Sequence, residues 1–103
     1  MIQTVLKRDG RVVGFNEEKI ATAIRKAMLH TDKGEDLQLI HQITDRISFK
    51  GDSQMTVEAI QDLVEVELMK SSRKDVAQNY IAYRNQRSIA RNANTRDMFL
   101  DII

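Results

Sequence analysis

The chain has 103 residues, 42% of them hydrophobic and 30% charged, which is the composition of a single globular domain. Sixteen lysines and arginines against fifteen aspartates and glutamates leave a formal net charge of +1, whereas a general nucleic-acid binder would be strongly basic. Because the sequence has no cysteine, no apolar run of membrane-spanning length and no secretory signal, disulfides, thiolate metal sites and membrane insertion are excluded and a cytoplasmic location is predicted.

The first predicted element is a β-hairpin. β-prone runs cover residues 2–7 and 11–15, and the Asp9-Gly10 dipeptide between them is favoured in two-residue hairpin turns. A hairpin of two strands alone is marginally stable in water, so this one should pack on helices. The sequence therefore predicts a small β cap over a helical body.

Four helices are predicted after the hairpin, from the spacing of their apolar residues. Asn16 and Thr56 are suitable N-caps for the first and the third. Residues 48–54 look irregular, and Phe49 should fix this segment to the core. The first three helices are predicted over residues 16–30, over residues 36–47 and from residue 56 onward.

The fourth helix should open on a Ser72-x-x-Asp75 capping box and run to about Arg91. Beyond it, the sequence predicts a C-terminal helical extension over residues 93–103, distinct from a domain over residues 1–92. The extension is either packed on the domain or leads into a larger partner domain, and its apolar side chains could also dock another protein. These side chains are Met98, Phe99, Leu100, Ile102 and Ile103.

Two groups of cations suggest an anion-binding site. Lys7, Arg8 and Arg11 surround the hairpin turn, beside the amino end of the first helix, where backbone N–H groups and the helix dipole favour anions. Arg84, Arg87 and Arg91 share one face of the fourth helix, and unpaired guanidinium groups suit bidentate recognition of phosphate. The alternatives are that both groups are solvated, or that the arginine face binds RNA.

Residues on the first and third helices could complete such a site. Lys19 occupies the third position of the first helix, where a cation opposes the helix dipole at a cost of about 0.3–1 kcal/mol that a bound anion would offset. Asn16 and Thr56 could donate to phosphate or ribose, although a capping role alone would explain both. The apolar residues placed to line a slot for a base, or simply to fill the core, are Val5, Ile20, Ala23, Ile24 and Ile60.

Motifs for catalysis are absent from the sequence. It contains no Gly-x-x-x-x-Gly-Lys-Ser/Thr loop, no credible pair of catalytic carboxylates and no nucleophile beside a base. His30 and His41 lack carboxylates at metal-ligand spacing, so no metal site is expected. We therefore predict a binding domain without catalytic residues of its own.

The start of the chain carries two linked motifs. They are Val5-x-Lys7-Arg8-Asp9-Gly10 and Phe15-Asn16-x-x-Lys19-Ile20, with weaker support from Thr56 and from Tyr83-Arg84-Asn85-x-Arg87. Together they resemble the ATP-cone, the nucleotide-sensing regulatory domain of many ribonucleotide reductases. The resemblance implies an α+β fold, in which a hairpin or three-stranded cap covers a bundle of about four helices. It also implies ATP or dATP as an allosteric effector, bound with Mg²⁺.

The resemblance assigns a role to each matched residue. Lys7 and Arg8 would hold the phosphates, while Asn16 and Lys19 would reach the phosphate or ribose end. Val13 stands where some family members carry an acidic residue. The predicted nucleotide site is completed by Val5, Ile20, Ala23 and Ile60 around the base and by Thr56, Arg84 and Arg87 on the other side, with the register of the two arginines open.

The same resemblance makes the domain a switch. ATP would favour the active reductase and dATP the inhibited assembly, so both must bind and yet stabilise different states. The implied partners are the catalytic domain of the same polypeptide and further copies of the chain in an effector-dependent homo-oligomer, with no membrane and no nucleic acid. The host it resembles most is the anaerobic, glycyl-radical ribonucleoside-triphosphate reductase. The alternatives are the cone of a nucleotide-sensing transcriptional repressor, which the lack of cysteine for a zinc ribbon disfavours, and a small nucleic-acid-binding helical module.

Overall fold

The computed structural model describes the backbone of residues 1–102 and the side chains of residues 1–87 and 89. Three short strands and four helices follow one another along this part of the chain, and the α+β fold predicted from the sequence is confirmed. The elements are β1 (Thr4–Leu6), β2 (Val12–Gly14), α1 (Glu17–Leu29), α2 (Leu37–Lys50), β3 (Gln54–Thr56), α3 (Val57–Lys70) and α4 (Lys74–Ile102).

The strands form one mixed sheet in the order β2-β1-β3. Of the hairpin and the three-stranded cap that the resemblance allowed, the structure has the three-stranded one. β1 pairs antiparallel with β2 and parallel with β3. The turn differs from the predicted two-residue type, because the Lys7 carbonyl accepts from Gly10 at 3.0 Å and the Lys7 N–H donates to Arg11 at 2.8 Å. These bonds enclose a three-residue loop, which Gly10 closes at a φ of 89°, a conformation that favours glycine.

The helix starts confirm the predicted caps. The Asn16 side chain accepts from the N–H of Glu18 at 3.0 Å, and the Thr56 hydroxyl accepts from the N–H of Ala59 at 3.1 Å. The irregular segment predicted over residues 48–54 is shorter in the structure, since α2 continues to Lys50 and β3 begins at Gln54, which leaves only residues 51–53 irregular. Phe49 is 77% exposed and does not fix the chain to the core, because one residue step turns the helix by about 100° away from the buried Ser48.

The fourth helix is longer than predicted. It runs through residues 92–94 to Ile102 without a break, and that stretch contains no glycine or proline to end it. It begins at Lys74, where the Ala77 N–H donates to the Arg73 carbonyl, so Ser72 does not hold the predicted cap position. The packing expected of the apolar side chains after residue 93 lies outside the described side chains, and the division of the chain at that point stays a prediction.

All four helices contribute to one core. α4 packs on α1 and α3, while α2 packs on both α1 and α3. The sheet packs against this core through the half-buried Val5 and Met55, and Ile2, just before β1, is buried with the helices. Along the described residues, no helix combines the length and apolarity that crossing a membrane requires. The most deeply buried side chains are Ile24, Met28, Ile43, Ile47, Val64, Leu68 and Val76.

Candidate functional site

A cavity of about 190 Å³ lies where the hairpin meets α1, α3 and α4. Its wall on the hairpin side comes from both strands and from the short link by which β2 leads into α1. Seven of the residues predicted for a nucleotide site line it: Val5, Lys7, Asn16, Lys19, Ile20, Ala23 and Ile60. Residues that are far apart in sequence are thus brought to one place.

The cavity has a buried apolar end and an open polar end. Ile20, Val64 and Tyr80 are each less than 10% exposed and mark the deep part. Lys19 and Asn16 belong to the same lining but are exposed to solvent. This arrangement can accommodate a flat apolar group inside and an anion at the rim.

The two lysines of the rim are available to a ligand. Neither Lys7 nor Lys19 takes part in a salt bridge with any of the side chains that the structure describes. Lys19 is the third residue of α1, so its charge stands beside the N–H groups of the first helical turn. Both features favour a negatively charged group at this rim.

Arg8 is directed elsewhere. Its guanidinium donates to the carboxylate of Glu58 in the first turn of α3, and Arg8 is not part of the cavity lining. That hydrogen bond is the main reason why the pKa of Glu58 lies below its ordinary value. The ion pair joins the tip of the hairpin to α3 next to the cavity.

Arg84 serves to join two helices. One of its nitrogens donates to Asp62 and to Glu65, both at 2.8 Å, and its side chain is only 20% exposed. The structure therefore places this arginine between α3 and α4, outside the cavity lining. Arg87, by contrast, lines a groove that shares Asn16 and Lys19 with the cavity, and which of the two arginines reaches a nucleotide stays a prediction.

Arg87 borders a neighbouring surface groove that also includes Asn16 and Lys19. Its guanidinium donates to the Tyr83 hydroxyl at 3.1 Å and lies 5.8 Å from the centre of that ring. The hydrogen bond lowers the pKa of Tyr83. Thr56 is engaged as the cap of α3 and is not among the lining residues.

The sequence-based prediction of the site did not include several residues that line the cavity. Val57, Gln61 and Val64 follow one another at helical spacing on the face of α3 that carries Ile60, so that periodicity could have found them. Tyr80 comes from α4, and burial raises its pKa to about 12, which keeps its hydroxyl protonated. The other missed residues come from the hairpin and its exit: Val13, Gly14 and Phe15.

Comparison with known families agrees with this geometry. The model of the ATP cone domain matches residues 3–89. This chain belongs to the ATP-cone family. The match covers every residue that lines the cavity, and it confirms the sequence-based interpretation as an allosteric, nucleotide-binding regulatory domain whose effectors are ATP and dATP.

The relatives of this ATP-cone are ribonucleotide reductases. The vitamin B12-dependent ribonucleoside-diphosphate reductase of Thermoplasma acidophilum is 42% identical over 98 residues, covering 88% of this chain and 13% of that protein. The ribonucleoside-diphosphate reductase subunit alpha of Chlamydia pneumoniae is 36% identical, covering 93% of the chain and 10% of that protein. The anaerobic ribonucleoside-triphosphate reductase of Escherichia coli is 34% identical, covering 93% and 14%. The chain thus spans only a small part of the relatives it matches.

Proposed function

We propose that this ATP-cone senses nucleotides for a ribonucleotide reductase, with ATP as the activating and dATP as the inhibiting effector of the cavity. The observation that carries the proposal is the combination of a buried apolar pocket with two lysines at its rim that form no salt bridge with the described side chains. An adenine nucleotide is complementary to this pocket, since its flat, weakly polar base suits the apolar part and its anionic triphosphate suits the lysines.

The size of the cavity fits a part of the nucleotide. Its 190 Å³ is smaller than the roughly 300–1,000 Å³ of pockets that enclose a whole drug-sized ligand. We infer that the base enters between Val5, Ile20 and Ile60, and that the sugar and phosphates remain at the rim. There Lys7 and Lys19 would bind phosphate oxygens, and Asn16 would reach the ribose or the nearest phosphate.

Two arginines would act at the edges of this site. Arg87 lies in the groove that continues from Lys19, so it could bind the far end of the triphosphate. Arg8 would contribute only if the phosphates displaced the Glu58 carboxylate from it. Mg²⁺ would be carried in by the phosphates of the nucleotide, which are the oxygen ligands this ion prefers.

The reductase itself would be the partner. The relatives comprise the anaerobic class that the sequence resembles and two further classes, so we propose a reductase catalytic domain on the same polypeptide. The cone would supply regulation and no catalytic residue. A cytoplasmic location and an effector-dependent homo-oligomer are part of this proposal.

Calorimetric titration of the chain with ATP and with dATP, each with Mg²⁺, tests the function. We expect both to bind in the micromolar range and to compete for the same site. Lys7→Ala should weaken both at least about tenfold, because a charge-assisted hydrogen bond to phosphate contributes about 1.5 kcal/mol or more.

Arg11→Ala is the matched control, because this substitution also removes one positive charge from the hairpin turn. Unlike Lys7, Arg11 is paired with Asp9 and lies outside the cavity lining. Its affinity should stay within twofold of the unmodified chain. If neither ATP nor dATP gave a heat of binding while the protein remained folded, the proposal would be refuted. Salt-sensitive binding to RNA instead would favour the nucleic-acid module.

A further inference from the structure

Gln61 is a polar side chain on an otherwise apolar stretch of the cavity wall. It lies on α3 beside Ile60 and one turn after Val57, and all three belong to the lining. Among the side chains of residues 1–87 and 89, its Oε1 atom is withdrawn from solvent and has no hydrogen-bond partner. Buried polar atoms without a partner are rare in folded proteins, and a ligand is one way of providing the partner.

The chemistry of the amide indicates what that partner would be. A glutamine side chain offers one acceptor and one donor next to each other. Adenine offers the complement, an exocyclic amino donor beside a ring nitrogen that accepts, and glutamine pairs with adenine in this bidentate way elsewhere. The apolar neighbours exclude water from the pair, which strengthens its effect on selectivity.

We propose that the side-chain amide of Gln61 reads the amino edge of the base and thereby selects adenine. The inference rests on the proposed function, because it assumes that a nucleotide base enters this cavity. Rotation about the terminal carbon–carbon bond of the side chain would orient the amide oxygen and nitrogen toward the base, and no hydrogen bond to Oε1 restrains this soft torsion in the described structure. Gln61 is then the residue that distinguishes adenine from a purine without the amino group.

Binding of two nucleotides to two proteins tests the assignment. The nucleotides are dATP and the 2′-deoxyribonucleoside triphosphate of unsubstituted purine, which lacks only the amino group. The proteins are the unmodified chain and Gln61→Leu. The unmodified chain should prefer dATP by roughly tenfold, and Gln61→Leu should bind both nucleotides with affinities within about twofold of each other.

Gln42→Leu is the matched control, because Gln42 is exposed on α2, away from the cavity. It should keep the full preference for dATP. A second measurement covers the folded state: Gln61→Leu without ligand should unfold at the same or a higher temperature, since the substitution removes an unsatisfied buried atom.

The outcomes separate the two proposals. If neither nucleotide binds to the unmodified chain, the proposed function fails. If both bind and Gln61→Leu still prefers dATP by tenfold, the function stands and the role of Gln61 is wrong. Equal binding of both nucleotides by the unmodified chain would also overturn it, because the amino group would then have no partner in the site.

Discussion

Two pairs of cations that look alike in the sequence have different surroundings in the fold. Lys7 and Lys19 stand at the cavity rim with no salt bridge to the described side chains, whereas Arg8 and Arg84 are each held by carboxylates of α3. All four were predicted to belong to the nucleotide site. Nearness to the site in sequence therefore does not decide whether a charge is available to a ligand, because the fold can pair that charge with a carboxylate first.

Removing Arg84 should have the largest effect, and it should be an effect on stability. Arg84→Met leaves Asp62 and Glu65 without the guanidinium that lies 2.8 Å from each, in a place where the arginine is only 20% exposed. We expect the free energy of unfolding, measured in urea, to fall by about 1–3 kcal/mol.

Arg87→Met is the matched control on the same helix. Arg87 is exposed and is bonded to the Tyr83 hydroxyl, so its loss should change the free energy of unfolding by no more than about 0.5 kcal/mol. If the two variants were equally stable, Arg84 would not be the structural link that its contacts suggest.

Removing Lys19 should weaken nucleotide binding without lowering stability. Lys19→Met is expected to weaken dATP binding about tenfold, equivalent to about 1.4 kcal/mol, because a rim charge beside the helix start is lost. The same change should leave the unfolding free energy equal or raise it by about 0.3–1 kcal/mol, since a cation no longer opposes the dipole of α1.

Lys33→Met, in the segment between α1 and α2 and away from the cavity, controls for the loss of one positive charge. Titration calorimetry and urea unfolding of both variants give the comparison. Equal losses of affinity would mean that net charge, and not the position of Lys19, attracts the nucleotide.

The smallest expected effect concerns Arg8. Glu58→Gln removes the charge that holds this arginine, and exposed ion pairs are worth up to about 1 kcal/mol, so dATP should bind about two- to fivefold more tightly. Glu35→Gln, whose partner Arg25 is remote from the cavity, should leave binding unchanged. An unchanged affinity for Glu58→Gln would show that Arg8 is not a phosphate ligand.

The pH dependence has a defined sign. The Arg8 guanidinium lowers the pKa of Glu58 from its ordinary value of 4.5, so the pair stabilises the fold above that value and is lost as the pH falls through the lowered pKa. The advantage of Glu58→Gln in dATP binding should therefore be full at neutral pH and disappear in acid.

Local features were predictable and the ion pairs were not. The two hairpin strands, the caps Asn16 and Thr56 and the apolar stripe of α1 depend on neighbouring residues, and the structure has them as expected, although the hairpin turn is one residue longer than predicted. Arg84 appeared unpaired because few acids lie near it in sequence. Its partners are 22 and 19 residues away on α3, and only the packing of α3 against α4 brings them within reach.

Phe49 shows the same limit for apolar residues. A large aromatic side chain after a helix was expected to be buried, but the helix continued and turned it outward. The residues missed in the cavity wall on α3 could have been predicted from the sequence. Val57 and Val64 lie three and four residues from Ile60, and this helical spacing puts all three on one face. A fuller use of the helical period would have included them.

The walls of the cavity extend from Val5 near one end of the chain to Tyr80 far along it, and only tertiary packing joins them. An unfolded chain offers no such surface, so a ligand of this cavity binds the native form alone. Mass action then adds about 2.7 kcal/mol to the free energy of unfolding when the ligand is present at 100 times its dissociation constant. The fraction of cavities that hold a ligand and the stability of the fold are therefore linked in this domain, and a change in effector concentration alters both together.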